Sequence, residues 1–186
     1  VGSEMCIRDT NNINCEVVVS NVDEDEVKES LLAEGANPLL ISKNLAEIKS
    51  VKVSKKYPDS LVLGADSVIS FNDKLINKPR SREDAFNILK NLNNSKHFLI
   101  SSVCISKNGS MIWNHTDSSE LKMKNLSDDQ LKDYLGKIET ETLLAYGVYQ
   151  VEADGLELFE YINGDKSSIM GLPIKDILNY IKVYKK

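Results

Sequence analysis

Apolar residues recur with helical spacing in five segments of the chain, which predict five amphipathic helices. Each segment carries a boundary signal: the first ends at Gly35, and the second begins with Asn37-Pro38, a cap residue followed by a proline that fits the first turn. Ser81 and Ser127 are typical caps for the third and fourth helices, and a Gly-Leu-Pro tripeptide at 171–173 precedes the fifth. The apolar stripes are Val27, Leu31, Leu32; Ile41, Leu45, Ile48; Ala85, Ile88, Leu89, Leu92; Leu131, Tyr134, Leu135; and Ile174, Ile177, Leu178, Ile181.

Segments rich in β-branched residues alternate with these helices and predict six strands. They cover residues 15–19, 61–71, 97–105, 110–123, 144–151 and 156–162. The segment 61–71 is apolar on both faces, which is typical of a central, buried strand. Asn108-Gly109, between the third and fourth segments, is a strong signal for a β-hairpin. Because a hairpin interrupts the alternation, we expect an α/β fold with a mixed, twisted sheet flanked by helices.

Composition and charge restrict the class of protein. The chain has 186 residues, 41% hydrophobic and 27% charged, as expected for one globular domain. Its net charge of −5 argues against binding nucleic acid or a membrane through a basic surface. No apolar run approaches the roughly 18 residues of a membrane helix. The cysteines, Cys6, Cys15 and Cys104, have an odd count and no metal-type spacing, which favours a reducing cytoplasm.

The first nine residues follow neither a helical nor a strand periodicity, and they lack the apolar core of a signal peptide. They resemble a translated adapter more than the start of a domain. We therefore interpret residues 1–9 as a suspected non-native segment and exclude them from the argument about the fold. The prediction is a single domain over residues 10–186.

Asp66 is the first residue whose chemistry needs an explanation, because it interrupts the most apolar strand. A buried carboxylate is costly unless it is hydrogen-bonded, ion-paired or bound to a metal. Gly64 lies two residues earlier on the same face, and its missing side chain leaves room for a ligand beside the carboxylate. The alternative is a structural aspartate that accepts hydrogen bonds from backbone amides.

Several charged residues can join that carboxylate in a site, although each also has a structural interpretation. Lys78 stands before a proline, where it can meet a phosphate or remain a solvated loop lysine. Asp23 and Glu24 can ligate a hard cation or compensate the dipole of the helix that follows. Lys49 lies near the edge of an apolar stripe, and spacing alone does not prefer it to Lys52.

Other polar and glycine positions are typical of structure when each is taken alone. His97 opens a strand and fits a structural histidine better than a catalyst. Gly164-Asp165 indicates a turn, and the tripeptide at 171–173 is either a helix start or a tight wall against a ligand. The sequence contains no glycine-rich phosphate loop and no dinucleotide-binding fingerprint.

Seven short motifs follow one another between residues 15 and 181. They are Val22-Asp23-Glu24, Leu45-Ala46-Glu47-Ile48-Lys49, Gly64-Ala65-Asp66-Ser67-Val68, Lys78-Pro79, His97, Gly164-Asp165 and Gly171-Leu172-Pro173. In this order and spacing they resemble the Maf family of nucleoside triphosphate pyrophosphatases. Any one motif is unspecific, whereas the set in register covers nearly the whole chain and is specific.

The resemblance implies an α/β fold like that of Maf proteins and inosine triphosphatases, with a central cleft. It implies hydrolysis of a nucleoside triphosphate to the monophosphate and pyrophosphate, with a divalent metal such as Mg²⁺ or Mn²⁺. It further implies a cytoplasmic, commonly dimeric protein that removes modified or non-canonical nucleotides from the pool. The family is also linked to septum formation.

The resemblance also implies roles for individual residues. Asp66 becomes the general base or a metal ligand, and Glu24 a second carboxylate on the metal. Lys49 and Lys78 become holders of phosphate oxygens, while Ser67 keeps a hydroxyl where the family often has threonine. The chemistry agrees, because a metal and lysines neutralise a pyrophosphate leaving group while a carboxylate activates water.

One departure from the family concerns the beginning of the chain. The family starts with a strand and a Ser-x-Ser-x-x-Arg-like loop that grips phosphate, and nothing before Cys15 matches this pattern. Loss of that strand and loop removes a cationic clamp and uncovers a sheet edge. On this reasoning we expect reduced activity or none.

A second departure concerns the base. The family often has Tyr-Gly-Ile-Gln-Gly where this chain has Tyr-Gln-Val-Glu-Ala at 149–153. The carboxylate of Glu152, implied as a substrate-binding group, only accepts hydrogen bonds and suits a guanine-type base such as that of 7-methyl-GTP. Ser67 favours the UTP and dTTP type instead, and a surface strand residue is the structural alternative for Glu152. Glu152 and Ser67 therefore favour different bases, and the sequence does not decide which base the protein prefers.

Two other functions compete with this hypothesis. One is a pyrophosphatase of the inosine-triphosphatase type, which differs in substrate. The other is a non-catalytic regulator of cell division that only binds nucleotide or a partner protein. The regulator predicts that Asp66→Asn leaves function intact, whereas an enzyme predicts near-complete loss.

Overall fold

The computed structural model describes residues 15–151 and 154–184, so the suspected non-native segment and Glu152 lie outside the described residues. The strands of this part are β1 (Val62–Phe71), β2 (Lys74–Ile76), β3 (Lys96–Lys107), β4 (Ser110–Met123) and β5 (Phe159–Asn163). Its helices are α1 (Glu24–Ala33), α2 (Pro38–Ser54), α3 (Arg82–Leu92), α4 (Asp128–Gly136), α5 (Thr140–Tyr146), α6 (Lys166–Ile169) and α7 (Ile174–Tyr184), with a 3₁₀ turn at Asp154–Leu158.

The five strands form one sheet in the order β2-β1-β3-β4-β5. The α/β class and the sheet flanked by helices are confirmed. Every pairing between the described strands is antiparallel, so the parallel pairing of a mixed sheet does not occur among them. The strand predicted to be central is β1, which pairs on both sides with β2 and β3.

The predicted helix starts are confirmed by the side chains that cap them. The side chain of Asn37 accepts a hydrogen bond from the backbone N–H of Leu40 at 2.9 Å. Ser81 caps α3 in the same way, and Ser127 and Gln130 form a full capping box on α4. Local hydrogen bonds of this kind satisfy backbone groups that a helix end leaves open, so sequence alone identifies them.

Two turns in the left-handed region connect strands of the sheet. Asn108 and Gly109 have φ angles of 48° and 76° and close the predicted β3–β4 hairpin. Asn72 and Asp73, with φ angles of 52° and 59°, close a second hairpin onto β2. The sequence did not predict β2, because a strand of three residues is too short to show an alternation.

The predicted strand at 144–151 is wrong. Residues Thr140–Tyr146 form α5, which buries Leu143, and the helix ends at Gly147 with a φ of 100°. A short apolar run does not distinguish a helix from a strand, and here tertiary packing decides. The next predicted strand, 156–162, begins late, since the chain makes a 3₁₀ turn through Leu158 before β5.

Residues 15–19 are the third correction, because they lie outside the sheet. The side chains of Val17 and Val19 are 53% and 72% exposed. A β-branched run becomes a strand only where a neighbouring strand accepts its backbone hydrogen bonds. None of the described strands pairs with this run.

Helix α2 covers one face of β1 and β3. Its inward residues Ile41 and Leu45 are fully buried. The other face carries two hydrophobic clusters, one under α3, α4 and α5, and a smaller one around α7 that includes Val103 and Ile177. The sheet is therefore covered on both faces, and side chains of β1 point alternately to α2 and to the face that carries the two clusters.

His97 is a structural residue, as the sequence indicated. It is fully buried, and its Nε2 lies 2.8 Å from the hydroxyl oxygen of Tyr149. Its ring also packs against Phe159, with ring centroids 5.9 Å apart. Burial lowers the pKa of His97 to about 4 from an ordinary value of 6.5, so the ring is neutral in the folded protein at neutral pH.

This buried histidine predicts an acid-sensitive fold. The unfolded chain binds a proton at His97 below pH 6.5, whereas the folded chain binds it only near pH 4, so the stability present above pH 6.5 is lost as the pH falls toward 4. The expected loss is about 3 kcal/mol. Urea denaturation at pH 7 and pH 4 of the parent and of His97→Gln measures it. An equal pH dependence in both proteins contradicts the prediction.

Candidate active site

Asp66 lies in the middle of β1, on the face covered by α2. Asp66 as a whole residue is only 8% exposed, whereas its neighbour Ser67 is exposed to solvent. Ser42 on α2 donates a hydrogen bond from its Oγ to the backbone carbonyl of Asp66 at 3.0 Å. The helix therefore holds the strand at the position of the carboxylate.

Gly64 does not leave room for a ligand, contrary to the expectation from sequence. A Cβ at this position would lie 2.4 Å from the carbonyl oxygen of Ala46 and 2.8 Å from the backbone nitrogen of Ser50, both on α2. The backbone of α2 occupies the space that a side chain at this position would take. The role of Gly64 is to let α2 approach β1 closely enough for the side chains of both elements to meet.

We expect Gly64→Ala to destabilise the protein by about 3 kcal/mol, because the added methyl group meets backbone atoms that cannot turn aside. Pyrophosphate release should fall as well, since α2 must move away from Asp66. Thermal denaturation and an activity assay on the same preparation measure both effects. Gly136→Ala is the matched control, because nothing lies within 4 Å of the Cβ added there. Equal stability of the two variants contradicts the prediction.

Lys49 joins the two carboxylates of the site. Its Nζ lies 2.8 Å from Oδ1 of Asp66 and 2.7 Å from Oε1 of Glu24. It also donates to the carbonyl oxygen of Ala65 at 3.4 Å. Three elements thus converge: α1 contributes Glu24, α2 contributes Lys49, and β1 contributes Asp66. We call these three residues the carboxylate–lysine cluster.

Burial and charge act against each other in this cluster. Burial raises the pKa of Asp66, and the nearby ammonium of Lys49 offsets only part of that rise. Burial disfavours the charge of Lys49, but Asp66 and Glu24 outweigh it and raise the pKa of this lysine. Burial also acts to raise the pKa of Glu24, yet the hydrogen bond and charge of Lys49 lower it overall. The result is a fixed ammonium beside a carboxyl that accepts a proton more readily than usual.

Two further lysines surround the cluster. Lys78 is exposed, and its charge helps to lower the pKa of Glu24, so the predicted phosphate-binding lysine does lie beside the site. Lys28 was not predicted. Its side chain is 14% exposed, and its Nζ lies 3.9 Å from Oε2 of Glu24 one helical turn earlier. The signal available in the sequence was the i, i+4 spacing of Glu24 and Lys28 on α1.

The structure decides two alternatives that spacing left open. Lys49 enters the site, whereas Lys52, one turn on, donates to the backbone carbonyl of Asn21. Of the two acids at the start of α1, Glu24 enters the site, and Asp23 caps the helix by accepting from the backbone N–H of Glu26 at 3.1 Å. The structural interpretation therefore holds for Asp23 and Lys52.

Ser67 does not join the carboxylate–lysine cluster. Because side chains alternate along a strand, it points to the opposite face of the sheet. Its Oγ lies 2.8 Å from Oγ of Ser101, the residue paired with it on β3. Ser67 therefore lies on the sheet face that carries the two hydrophobic clusters. Glu152 lies outside the described residues, and its predicted contact with the base stays a prediction.

The two glycine motifs near the end of the chain have structural roles. Asp165 caps the short helix α6, and its hydrogen bonds with Ser167 and Ser168 hold the pKa of its carboxyl below the ordinary value. Gly171 takes a φ of 101°, and Leu172 is buried in the small cluster under α7. The tripeptide is thus a helix start whose leucine anchors α7, rather than a wall against a ligand.

The donor set of the cluster fits a hard divalent cation. Glu24 and Asp66 supply carboxylate oxygens, which Mg²⁺ and Mn²⁺ prefer. Oδ2 of Asp66 is buried and has no hydrogen-bond partner among the described residues, although buried polar atoms normally have one. A cation or a water is the partner that such an oxygen lacks. Lys49 already supplies one positive charge between the two carboxylates.

The geometry defines a class of protein: an α/β domain in which a buried carboxylate, a bridging lysine and a second carboxylate meet beneath a helix. The Maf-like protein family matches residues 6–184, and the chain belongs to this family.

Three relatives illustrate the similarity. A "Nucleoside triphosphate pyrophosphatase" of Pelagibacter ubique (strain HTCC1062) is 55% identical over 96% of this chain and 92% of its own length. A protein of the same name from Ruegeria pomeroyi is 39% identical over 88% of this chain and 82% of its own. A "7-methyl-GTP pyrophosphatase" of Rhizobium etli is 34% identical over 88% of this chain and 82% of its own.

None of the helices in residues 15–151 and 154–184 combines the length and the apolar character needed to cross a bilayer.

Proposed function

We propose that this chain is a nucleoside triphosphate pyrophosphatase, a hydrolase that converts the triphosphate to the monophosphate and pyrophosphate. The observation that carries the proposal is the carboxylate–lysine cluster. Glu24, Lys49 and Asp66 come from three motifs far apart in sequence and meet within hydrogen-bonding distance. The names of the relatives support the same activity, and the family match spans all three motifs.

The proposed reaction is attack of water on the α-phosphorus. The water oxygen forms the new P–O bond while the bond between the α-phosphorus and the bridging oxygen breaks, and pyrophosphate leaves with the electron pair. Asp66 is the general base that takes the proton of the water. Its raised pKa suits this role, because a base works best when its pKa approaches the working pH.

The lysines are proposed to hold the triphosphate. Lys78 is exposed and forms no hydrogen bond or ion pair within the described part of the chain, so its ammonium is available to phosphate oxygens. Lys49 is fixed between two carboxylates and is 18% exposed. It can turn one N–H toward a phosphate while it keeps Asp66 oriented. Both roles are electrostatic and match the charge of the leaving group.

A divalent cation, Mg²⁺ or Mn²⁺, is the proposed cofactor, held by Glu24 and Asp66. When bound, it neutralises negative charge on the triphosphate and lowers the pKa of a bound water. The fit rests on the two carboxylates and on the unpartnered Oδ2 of Asp66. The acidic net charge of the chain is compatible with an anionic substrate, because the substrate arrives with its own metal.

The test is pyrophosphate release by the purified chain with Mg²⁺ and, separately, with EDTA. The panel is UTP, dTTP, GTP, 7-methyl-GTP and ITP, with circular dichroism to establish that the chain is folded. We expect release at the reduced rate that the departure from the family's phosphate-gripping loop predicts, and this release should need the cation and differ between bases. A folded chain that releases no pyrophosphate from any of the five nucleotides contradicts the proposal.

The panel also separates the alternatives. Preference for ITP favours an enzyme of the inosine-triphosphatase type. Preference for 7-methyl-GTP supports the argument from Glu152, whereas preference for UTP or dTTP supports the argument from Ser67. Nucleotide binding without release, unchanged by Asp66→Asn, favours a non-catalytic regulator of cell division.

The wider role proposed for the enzyme is sanitation of the nucleotide pool in the cytoplasm, with a link to septum formation. The free thiols of Cys15 and Cys104 are compatible with a reducing compartment. A homodimer is proposed on the family resemblance, and sedimentation velocity of the purified chain tests it.

A further inference from the structure

A second group of metal-type donors lies away from the carboxylate–lysine cluster. His115 and Asp117 on β4 and Asp176 on α7 bring one ligand atom each to within 4.8 Å of one another. Nε2 of His115 lies 3.2 Å from Oδ1 of Asp117 and 3.7 Å from Oδ2 of Asp176. These separations match the distances between neighbouring ligands on an ion whose bonds are about 2.1 Å long.

The sheet register separates this group from the proposed catalytic centre. Asp66 on β1 lies opposite Ser102 on β3, and Ser102 lies opposite Thr116 on β4. Asp117 is paired with Ser101, the partner of Ser67, so it lies on the other face of the sheet. The three donors therefore face α7, whereas Asp66 faces α2.

Neighbouring side chains hold the donors in place. The indole of Trp113 stacks on the imidazole of His115, with ring centroids 6.0 Å apart and planes 6° from parallel. The same indole stacks on Tyr180 of α7 at 5.0 Å. Ser168 donates a hydrogen bond to Oδ2 of Asp117, which leaves Oδ1 directed at His115. Fixed ligands lower the cost of ordering a site when the ion binds.

The arrangement brings more acceptor atoms together than it has positive charges to pair with them. One imidazole nitrogen faces two carboxylate oxygens, and no lysine or arginine of the described chain forms an ion pair with either acid. A protonated imidazole can donate along Nε2 to one carboxylate at a time. A divalent ion satisfies all three groups together, and one imidazole with two carboxylates is a donor set for first-row transition ions.

We propose that His115, Asp117 and Asp176 bind a divalent first-row transition ion that ties helix α7 to strand β4. The ion adds a bridge between the sheet and α7 to the small hydrophobic cluster, the stack of Trp113 on Tyr180 and the hydrogen bond from Lys107 to Tyr184. Its role is structural, and the proposal stands independently of the pyrophosphatase activity.

The chain's single tryptophan reports on the site directly. Trp113 stacks on His115, so Ni²⁺, an open-shell ion that quenches indole fluorescence at contact range, should quench it on binding. We expect saturable quenching and a rise in melting temperature with Ni²⁺, because the ion binds only the folded chain. His115→Gln should abolish the saturable quenching, and Asp176→Asn, which leaves the ring stack intact, should weaken Ni²⁺ binding at least ~10-fold.

Asp66→Asn is the control that separates the two sites, and its Ni²⁺ quenching should equal that of the parent. Three results would overturn the proposal: no quenching, quenching that does not saturate, and quenching that is equal in the parent and in Asp176→Asn. His115 and the two aspartates would then form only an ion pair. Loss of quenching in Asp66→Asn would also overturn it, since the ion would then belong to the carboxylate–lysine cluster.

Discussion

Asp66→Asn is expected to reduce pyrophosphate release by about 10³-fold while the protein remains folded. An amide can neither take the proton of the attacking water nor hold a cation as a carboxylate does. Lys49 keeps its contact with Glu24 at 2.7 Å, so the helix α2 stays in place. Because Lys49 remains paired with Glu24, the free energy of unfolding should stay close to that of the parent.

The measurement is steady-state pyrophosphate release from the preferred nucleotide, with thermal denaturation on the same samples. Asp59→Asn is the matched control, because Asp59 lies in an exposed turn before β1 and its replacement should leave the rate unchanged. A variant at Asp66 that keeps more than a small fraction of the parental rate would falsify the assignment of the general base. The family membership would stand in that case, and the catalytic group would have to be sought elsewhere.

Lys49→Met is expected to destabilise the protein by about 3 kcal/mol at pH 8, because it leaves the buried carboxylate of Asp66 without its positive partner. The pyrophosphatase rate should fall in the same variant, since Lys49 no longer orients Asp66. Methionine preserves most of the volume of the lysine stem, so the loss reports on charge rather than on a cavity.

The stability difference should shrink as the pH falls. Without Lys49 the folded-state pKa of Asp66 rises further above its unfolded value of about 3.9. The folded variant then binds a proton that the unfolded chain does not, so its stability increases as the pH falls through the folded pKa. In the parent, Glu24 has a pKa below its ordinary value of 4.5, so its stabilisation is lost only below the pH range of this test. The proton taken up by Asp66 is therefore the effect that reduces the stability difference between pH 8 and pH 5.

Urea denaturation of the parent and Lys49→Met at pH 8 and pH 5 tests this prediction. Lys52→Met is the matched control, because Lys52 is exposed and lies one turn further along the same helix. Its effect should be small at both pH values. Equal losses in the two variants, or a gap that widens on acidification, contradict the account of a buried charge pair.

Local signals in the sequence predicted the helices well. The caps at Asn37, Ser81 and Ser127 were each recognisable from residue type, because the hydrogen bonds that stop helix fraying come from residues three positions apart. The hairpin at Asn108-Gly109 was recognisable for the same reason, since a left-handed turn favours these residues.

Non-local packing explains the errors. Residues 15–19 have β-branched side chains but no strand beside them in the described sheet, and residues 144–146 end a helix because Leu143 is buried against its neighbours. The sequence predicted that Gly64 leaves space for a ligand, whereas the backbone of α2 packs directly against this residue. None of these outcomes depends on residues that are close in sequence.

The sequence by itself determined the class of fold, most helix boundaries and the family, and it singled out Asp66 as a candidate, because these depend on residue type and on spacing along the chain. The family resemblance implied roles for Lys49 and Glu24, but only the tertiary structure showed that these two, rather than Lys52 and Asp23, lie at that carboxylate. It also separated Ser67 from the cluster by the alternation of β1. The physical reason is that distances between residues on different elements are set by how α1 and α2 pack on the sheet, and local spacing carries no record of that packing.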